Sequence, residues 1–221
     1  MSYVYMKVLE SAPERYDRGM RLLTLGRLEQ VHREIAARLN EGDRVLDLGC
    51  GTGALVATLA DKGVCVTGID ISPPMLSQAA QRVREEGLEE LVALREMGAV
   101  DLDTAFPDGC FDAVVSTLVF SELSDDEIAY TLTECHRILA KRGGLFVADE
   151  VMPDSRLGRV GTFVFRLPFT LAAFVLTQNT THRVARLDRR IEQAGFRISD
   201  TQGYLAGTLR LFVAEKVAVD A

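Results

Sequence analysis

The sequence of 221 residues has few cysteines, and they are not spaced for metal binding. Cys50, Cys65, Cys110 and Cys135 lie far apart and form no CxxC motif. This spacing argues against a zinc site and against a disulfide framework, both of which need grouped cysteines. We therefore expect no bound metal ion and a protein of the reducing cytoplasm.

Positive charge and long apolar runs are also scarce. Lysine and arginine number 25 against 32 aspartates and glutamates, and the net charge of -7 argues against a nucleic-acid partner. The N-terminus carries Glu10 and Glu14 and lacks an apolar signal core. The most apolar stretch, Phe163–Thr177, contains Arg166 and Pro168 and is too short to cross a bilayer. We predict a soluble protein without a transmembrane segment.

Apolar strands and amphipathic helices alternate along the chain, which predicts an α/β fold with a parallel sheet covered by helices on both faces. The length and the 48% hydrophobic content are enough for one large core. The strands are predicted at about 45–48, 64–69, 91–96, 111–117 and 145–148, and the helices at about 16–39, 54–62, 72–86 and 124–140.

The C-terminal part ends the alternation. A predicted helix at about 184–194 precedes two strands, at about 198–204 and 208–216. The dipeptide Ala206-Gly207 between those strands favours an antiparallel hairpin at the end of the sheet.

The most informative segment joins the first strand to the helix after it. Gly49, Gly51 and Gly53 follow the strand residues Val45 to Leu48, and glycine lets the backbone turn sharply and approach a ligand closely. Asp70 stands 21 residues beyond Gly49, at the end of the next strand, where its carboxylate can accept both hydroxyls of a ribose. The pattern predicts a nucleoside site at the carboxyl edge of the sheet.

Two classes of nucleoside ligand fit this pattern. The run Gly49-x-Gly51-x-x-Ala54 also satisfies the dinucleotide motif, so a nicotinamide-dependent oxidoreductase is one alternative. Asp47, however, precedes the glycines directly and would repel a pyrophosphate at close range. Its carboxylate favours a ligand that has a cationic amino group and no phosphates.

At this point the chain resembles the class I methyltransferases that depend on S-adenosylmethionine (SAM), of the type 11-like group. The glycine segment resembles their first motif, and three further motifs follow in the family's order between about residues 40 and 150. The matching segments are Val45–Gly53, Val66–Asp70 with Ser72 and Met75-Leu76, Pro107–Ser116, and Glu134–Leu139 with Gly143-Gly144.

The resemblance implies a Rossmann-like sandwich and a SAM cofactor, which leaves as S-adenosylhomocysteine. The sheet would have seven mostly parallel strands in the order 3-2-1-4-5-7-6, with strand seven antiparallel. Gly49 and Gly51 would border the methionine part of SAM, and Asp70 would hold its ribose. The other residues implied in cofactor binding are Tyr16, Asp47, Cys50, Ile71, Met75, Met97, Gly98, Ala99 and Ser116. Many relatives have an aspartate directly after the glycine of the turn at the adenine edge, whereas this chain has Met97-Gly98-Ala99 there and Asp101 further on. Backbone groups near Ala99 are therefore expected at the adenine edge.

The chain also resembles methyltransferases associated with corrinoid proteins. This similarity lies in the opening residues 1–27, in Phe120–Leu123 and in Leu176–Thr181. It implies work near corrinoid-dependent methyl metabolism and a corrinoid protein as a partner, and it does not identify the acceptor.

We expect one domain over residues 1–221, with a helical N-terminal segment at about 1–40. A partly apolar helical insertion at about 154–183 is expected to cover the acceptor side. Three interpretations of its apolar residues stay open: a lid over an apolar pocket, a partner or homodimer surface, and core packing. Contact of this insertion with a membrane surface has little basic support.

No catalytic triad is visible, and methyl transfer from a sulfonium needs alignment more than it needs a base. Glu122 after the fourth strand, Tyr16 and His182 are the candidates nearest the reaction. His32 and His136 are expected to be structural or surface residues, and Cys50 to be a small filler.

We predict transfer of the sulfonium methyl to a small molecule or a corrinoid-linked acceptor. A non-catalytic SAM-binding accessory protein is the alternative from another functional class, and turnover is the observation that separates the two.

Overall fold

The protein is described by a computed structural model, which covers residues 13–151 and 184–217. Seven strands and seven α-helices follow in the order α1 (Pro13–Leu23), α2 (Arg27–Ala36), β1 (Arg44–Leu48), α3 (Ala54–Ala60), β2 (Cys65–Asp70), α4 (Pro73–Glu85), β3 (Val92–Glu96), α5 (Leu102–Ala105), β4 (Phe111–Thr117), α6 (Asp125–Ile138), β5 (Leu139–Glu150), α7 (Leu187–Gln193), β6 (Phe196–Tyr204) and β7 (Leu209–Lys216) within these residues.

The strands form one sheet in the order β3-β2-β1-β4-β5-β7-β6. The first five strands are parallel, and β7 pairs antiparallel with both β5 and β6. This order confirms the predicted Rossmann-like sandwich, and the β6–β7 pairing confirms the predicted hairpin. The carboxyl ends of β1, β2 and β4 meet at one edge, which is where an open α/β sheet binds ligands.

Apolar residues on the two faces of the sheet form two cores, because successive strand residues point to opposite faces. Val45 packs on the face that α1, α2, α3 and α4 cover. Its neighbour Leu46 packs on the other face, beneath α5, α6 and α7. The buried strands are therefore apolar on both sides, as the sequence pattern indicated.

The single helix predicted at about 16–39 is wrong, because the chain forms α1 and α2 with a sharp turn between them. Leu25 and Gly26 both have positive φ, 52° and 72°, and the Gly26 amide donates to Arg21 O at 2.8 Å. The Thr24 hydroxyl donates to Met20 O at 2.7 Å. The apolar periodicity continues through the turn, so the sequence pattern gives no sign that the helix breaks between α1 and α2.

The helix predicted at about 124–140 ends earlier than expected. Ser124 accepts from the Glu127 amide and caps α6 as predicted, but the helix stops at Ile138. The backbone then enters β5, where Leu139 pairs with Phe111 before an irregularity in the ladder. Gly143 lies inside this strand, and a Cβ there would come within 2.8 Å of Leu139 Cδ2.

Ser72 precedes α4 at the predicted N-cap position, but its side chain makes no capping hydrogen bond. The predicted helical insertion at about 154–183 lies outside the described residues. Among the residues that the structure does describe, no helix has the length and apolar character needed to span a membrane.

Candidate functional site

The turn between β1 and α3 depends on its glycines. Gly49, Gly51 and Gly53 all have positive φ, at 71°, 53° and 76°. A Cβ on Gly49 would lie 2.3 Å from Val119 Cγ2, so the loop after β4 packs directly on the glycine backbone. A Cβ on Gly51 would meet nothing within 4 Å. Gly49 therefore permits packing, whereas Gly51 leaves open space for a ligand.

The amides of this turn are satisfied within the protein. Gly49 N and Cys50 N both donate to Ile69 O at 2.9 Å. Gly51 N donates to Asp70 Oδ2 at 2.8 Å. A phosphate cradle needs such amides to point at the ligand, so this arrangement disfavours a pyrophosphate.

Asp70 is held rigidly at the end of β2. Its Oδ2 accepts from Gly51 N, and its Oδ1 accepts from Ser72 N at 2.8 Å. Each carboxylate oxygen can accept more than one hydrogen bond. The carboxylate is thus fixed in orientation at the end of β2 and faces the glycine turn.

A cleft of about 380 Å³, cavity A, extends from Asp70 across the glycine turn. It reaches the loop after β3 on one side and the loop after β4 on the other. Its lining residues are Tyr16, Leu48, Gly49, Gly51, Ile69, Asp70, Ile71, Ser72, Met75, Met97, Gly98, Ala99, Thr117, Leu118, Val119, Glu122 and Leu123.

A second space of about 310 Å³, cavity B, lies beneath α1 and α2 and shares the glycine turn with cavity A. Tyr16, Thr117 and Leu118 line both cavities together with Gly49 and Gly51. The further lining residues of cavity B are Asp17, Met20, Arg21, Leu28, Glu29, His32, Arg33, Cys50, Thr52, Ala54, Leu55, Thr58 and Arg82.

Asp47 is buried beneath the glycine turn, with 1% of its surface exposed. No group among residues 13–151 and 184–217 donates a hydrogen bond to either of its carboxylate oxygens. Burial, and then the charge of Asp70, raises the pKa of Asp47 to about 8. A buried carboxyl group without partners is costly, and a nearby cationic group would stabilise its ionised form.

Comparisons with known proteins agree with this geometry. A family model described as "Methyltransferase domain" matches residues 45–143. The demethylmenaquinone methyltransferase of Symbiobacterium thermophilum is 32% identical, over 95% of this chain and 91% of the relative. The chain belongs to the class I SAM-dependent methyltransferases. It is an enzyme of this family, and its methyl donor is SAM.

Two further similarities cover different shares of this methyltransferase. The phosphatidylethanolamine N-methyltransferase of Cereibacter sphaeroides is 39% identical, over 57% of this chain and 60% of the relative. The crystal structure of a SAM-dependent methyltransferase from Aquifex aeolicus superposes with a TM-score of 0.64 at 19% identity, over 95% of this chain and 98% of that one. The structural likeness supports the fold alone.

Most residues that the sequence implicated in SAM binding come together at cavity A. Those that line it are Tyr16, Gly49, Gly51, Asp70, Ile71, Met75, Met97, Gly98 and Ala99. The catalytic candidate Glu122 also lines it. His182 lies outside the described residues.

Three of the predicted residues lie elsewhere. Asp47 and the buried Ser116 line neither cavity, and Ser116 Oγ has no hydrogen-bond partner among the described residues. Cys50 lines cavity B and packs against Gly68, where a Cβ would come within 3.0 Å of Cys50 Sγ. Burial raises the pKa of the Cys50 thiol, so it is a neutral group at physiological pH.

Sequence reasoning named Glu122 in the loop after β4 but missed the conformation of this loop at Leu118 and Val119. Leu118 adopts φ 64°, which is unusual for a residue with a side chain, and its amide donates to Ala148 O at 2.8 Å. This turn directs Val119 onto Gly49 and brings Leu118 to the boundary of both cavities. No glycine or asparagine marks the turn, so the sequence carried no local signal for it.

Three polar residues of cavity B were also missed. Asp17 on α1, Thr52 on the glycine turn and Arg82 on α4 meet beside His32. They are distant in the sequence, and each is unremarkable alone. Burial lowers the pKa of His32 to about 4, so its ring is neutral at physiological pH.

Proposed function

We propose that SAM lies along cavity A, with its ribose hydroxyls donating to Asp70. Its adenine would lie between Ile71 and Met75 on one side and the Met97–Ala99 segment on the other. Its methionine part would cross Gly51, where a side chain would otherwise fill the space. The single observation that carries this proposal is the fixed Asp70 carboxylate beside the open face of Gly51.

The charges beneath the turn support this orientation. Asp47 is a buried carboxyl group that no described residue neutralises. A cationic amino group crossing the glycine turn would stabilise the ionised form of Asp47, whereas a pyrophosphate would disfavour that form. The residues present therefore fit SAM better than a nicotinamide dinucleotide.

When bound, SAM supplies a methyl group on a sulfonium that is already a strong methyl donor. The protein then has to align an acceptor with that methyl group and exclude water. Tyr16, Thr117 and Leu118 border both cavities, so they would enclose the junction between donor and acceptor. Glu122 lines the same cleft and would receive a proton if the acceptor must lose one.

We infer that the acceptor is a small, largely apolar molecule of the demethylmenaquinone type. The relative named for demethylmenaquinone aligns with nearly the whole chain. The phosphatidylethanolamine-methylating relative aligns with little more than half of it. Met20, Leu28 and Leu55 line part of cavity B and make that part apolar.

A corrinoid-linked acceptor is the second proposal. It rests on the resemblance in residues 1–27, 120–123 and 176–181, of which the first lies partly and the last wholly outside the described residues. Phe120–Glu122, which carry part of that resemblance, form a short 3-10 turn next to cavity A.

The test is transfer of a labelled methyl group from SAM. Demethylmenaquinol in detergent micelles, phosphatidylethanolamine vesicles and a purified corrinoid protein would serve as separate acceptors, with Asp70→Ala as the control. We expect label in the quinol and one S-adenosylhomocysteine molecule for each methyl group transferred. We expect the Asp70→Ala variant to bind SAM about 1–3 kcal/mol more weakly than the wild type does.

Each of the other outcomes would show that a different part of the proposal is wrong. Label in the corrinoid protein or the phospholipid would replace the quinol as acceptor. Calorimetric binding of S-adenosylhomocysteine without transfer to any acceptor would favour an accessory protein. Absence of binding to the wild-type protein would overturn the proposed SAM site.

A further inference from the structure

Asp17 connects three separate elements around the glycine turn. Its Oδ1 accepts from Thr52 Oγ1 at 2.6 Å, and its Oδ2 accepts from Arg82 Nη2. Thr52 follows Gly51 directly and is 4% exposed, and Arg82 lies on α4. Asp17 itself lies on α1, beside Tyr16, which lines both cavities.

Within residues 13–151 and 184–217, helix α1 packs on two neighbouring helices. It packs against α2 and α4, and Met20 is the buried apolar residue among its described side chains. Arg18, Arg21 and Leu22 on the same helix are exposed. An 11-residue helix is marginal by itself, so its position depends on tertiary contacts, and Asp17 makes two of them.

These contacts continue toward the proposed SAM site. Asp70 accepts from Gly51 N, the next residue Thr52 donates to Asp17, and Asp17 accepts from Arg82. A ligand that fixes Asp70 and the backbone at Gly51 therefore also fixes Thr52. The position of Thr52 in turn decides whether Asp17 can hold α1 in contact with the turn.

We propose that Asp17 is a positioning residue that holds α1, and with it Tyr16, in place over bound SAM. This inference rests on the SAM site proposed above and assigns a role to a residue outside it. The contacts of Asp17 slow dissociation of the ligand and keep Tyr16 at the boundary between donor and acceptor. The Asp17 carboxylate acts through α1 and does not touch the reacting atoms.

The test measures dissociation of S-adenosylhomocysteine by stopped flow from the wild type and from Asp17→Asn and Thr52→Val. We expect Asp17→Asn to speed dissociation by about tenfold, since it weakens hydrogen bonds to a charged group. Thr52→Val keeps the shape of the side chain and loses one of the two contacts, so a smaller increase is expected. Arg18→Gln changes an exposed charge on the same helix and should leave the rate unchanged.

A second readout separates positioning from general stability. Trypsin can cut after Arg18 and Arg21 on α1 and after Lys141 and Arg142 on β5. Saturating S-adenosylhomocysteine should protect the α1 sites in the wild type but not in Asp17→Asn, and the β5 sites should behave alike in both.

Three results decide the matter. Wild-type dissociation rates in both Asp17→Asn and Thr52→Val would overturn the inference and leave the SAM site standing. Faster cleavage of Asp17→Asn at all four sites, with Thr52→Val unaffected, would reduce Asp17 to a folding role. Failure of the wild type to bind would remove the proposed site and this inference together.

Discussion

At the residue scale, Asp47 is the clearest departure from ordinary packing. A carboxyl group that is almost fully buried normally has hydrogen-bond donors around it. Asp47 has none among the described residues, and its pKa of about 8 keeps it protonated in the ligand-free protein at neutral pH. The ionisation state of Asp47 should therefore change when a cation enters the site.

We expect binding of S-adenosylhomocysteine at pH 7 to release about one proton, because the ligand's ammonium group lowers the pKa of Asp47. Calorimetry in buffers of different ionisation enthalpy measures this release. Asp47→Asn should abolish it, and at pH 9 it should disappear from the wild type because Asp47 is already ionised. Equal proton release by the wild type and Asp47→Asn would show that the amino group lies elsewhere.

At the element scale, the β1–α3 turn has two functions, and a different glycine serves each of them. The loop after β4 packs on Gly49, and the ligand space opens at Gly51. Both residues have positive φ, so alanine at either position also carries a backbone cost of about 1–2 kcal/mol. That shared cost makes the two alanine variants matched controls for each other.

We expect Gly49→Ala to lower the thermal midpoint of the ligand-free protein more than Gly51→Ala does, because its Cβ would overlap Val119. Adding Val119→Ala to Gly49→Ala should recover part of that stability. We expect Gly51→Ala to weaken S-adenosylhomocysteine binding by about 1–3 kcal/mol, since its methyl group overfills the site. Wild-type affinity in Gly51→Ala would place the ligand away from the turn.

At the scale of the whole molecule, one buried carboxyl group beyond the site should affect stability. Asp149 near the end of β5 is fully buried and accepts from Ser121 N at 3.2 Å and Glu150 N at 2.7 Å. Burial outweighs these hydrogen bonds and raises the pKa of Asp149 from 3.8 to about 6. The folded protein therefore holds this proton more tightly than the unfolded chain does.

We expect the stability conferred by this proton to be complete below about pH 4 and lost as the pH rises through about 6. The free energy of unfolding of the wild type, relative to Asp149→Asn, should fall across that interval. Urea titrations at several pH values measure it. A relative stability that stays constant or rises across the interval would show that Asp149 is ionised in the folded protein.

The sequence predicted most of the sheet because its strands are short apolar runs bounded by clear turn signals. It also predicted the side chains that point to cavity A from the ends of β1 and β2, since the first two motifs lie there. It was wrong at Thr24–Gly26 and at Gly143. Helical periodicity continued across the first break, and a glycine pair that looked like a helix end lies inside β5.

The methyl acceptor, the corrinoid partner, the homodimer and the cytoplasmic location stay predictions, and the apolar insertion at about 154–183 lies outside the described residues. The contacts of Asp17 and the turn at Leu118 had no sequence signal. Both depend on residues that meet across several elements, and nothing in the local sequence specifies such a meeting.

The sequence by itself determined the order of elements, the glycine turn and the carboxylate at the end of β2, because backbone torsions and strand periodicity are local properties. Only the tertiary structure decided that Asp47 is buried with no hydrogen-bond partner among the described residues, that Val119 packs on Gly49 and that Asp17 joins α1 to the turn. Burial and hydrogen bonding between distant segments exist only after the sheet has brought those segments together.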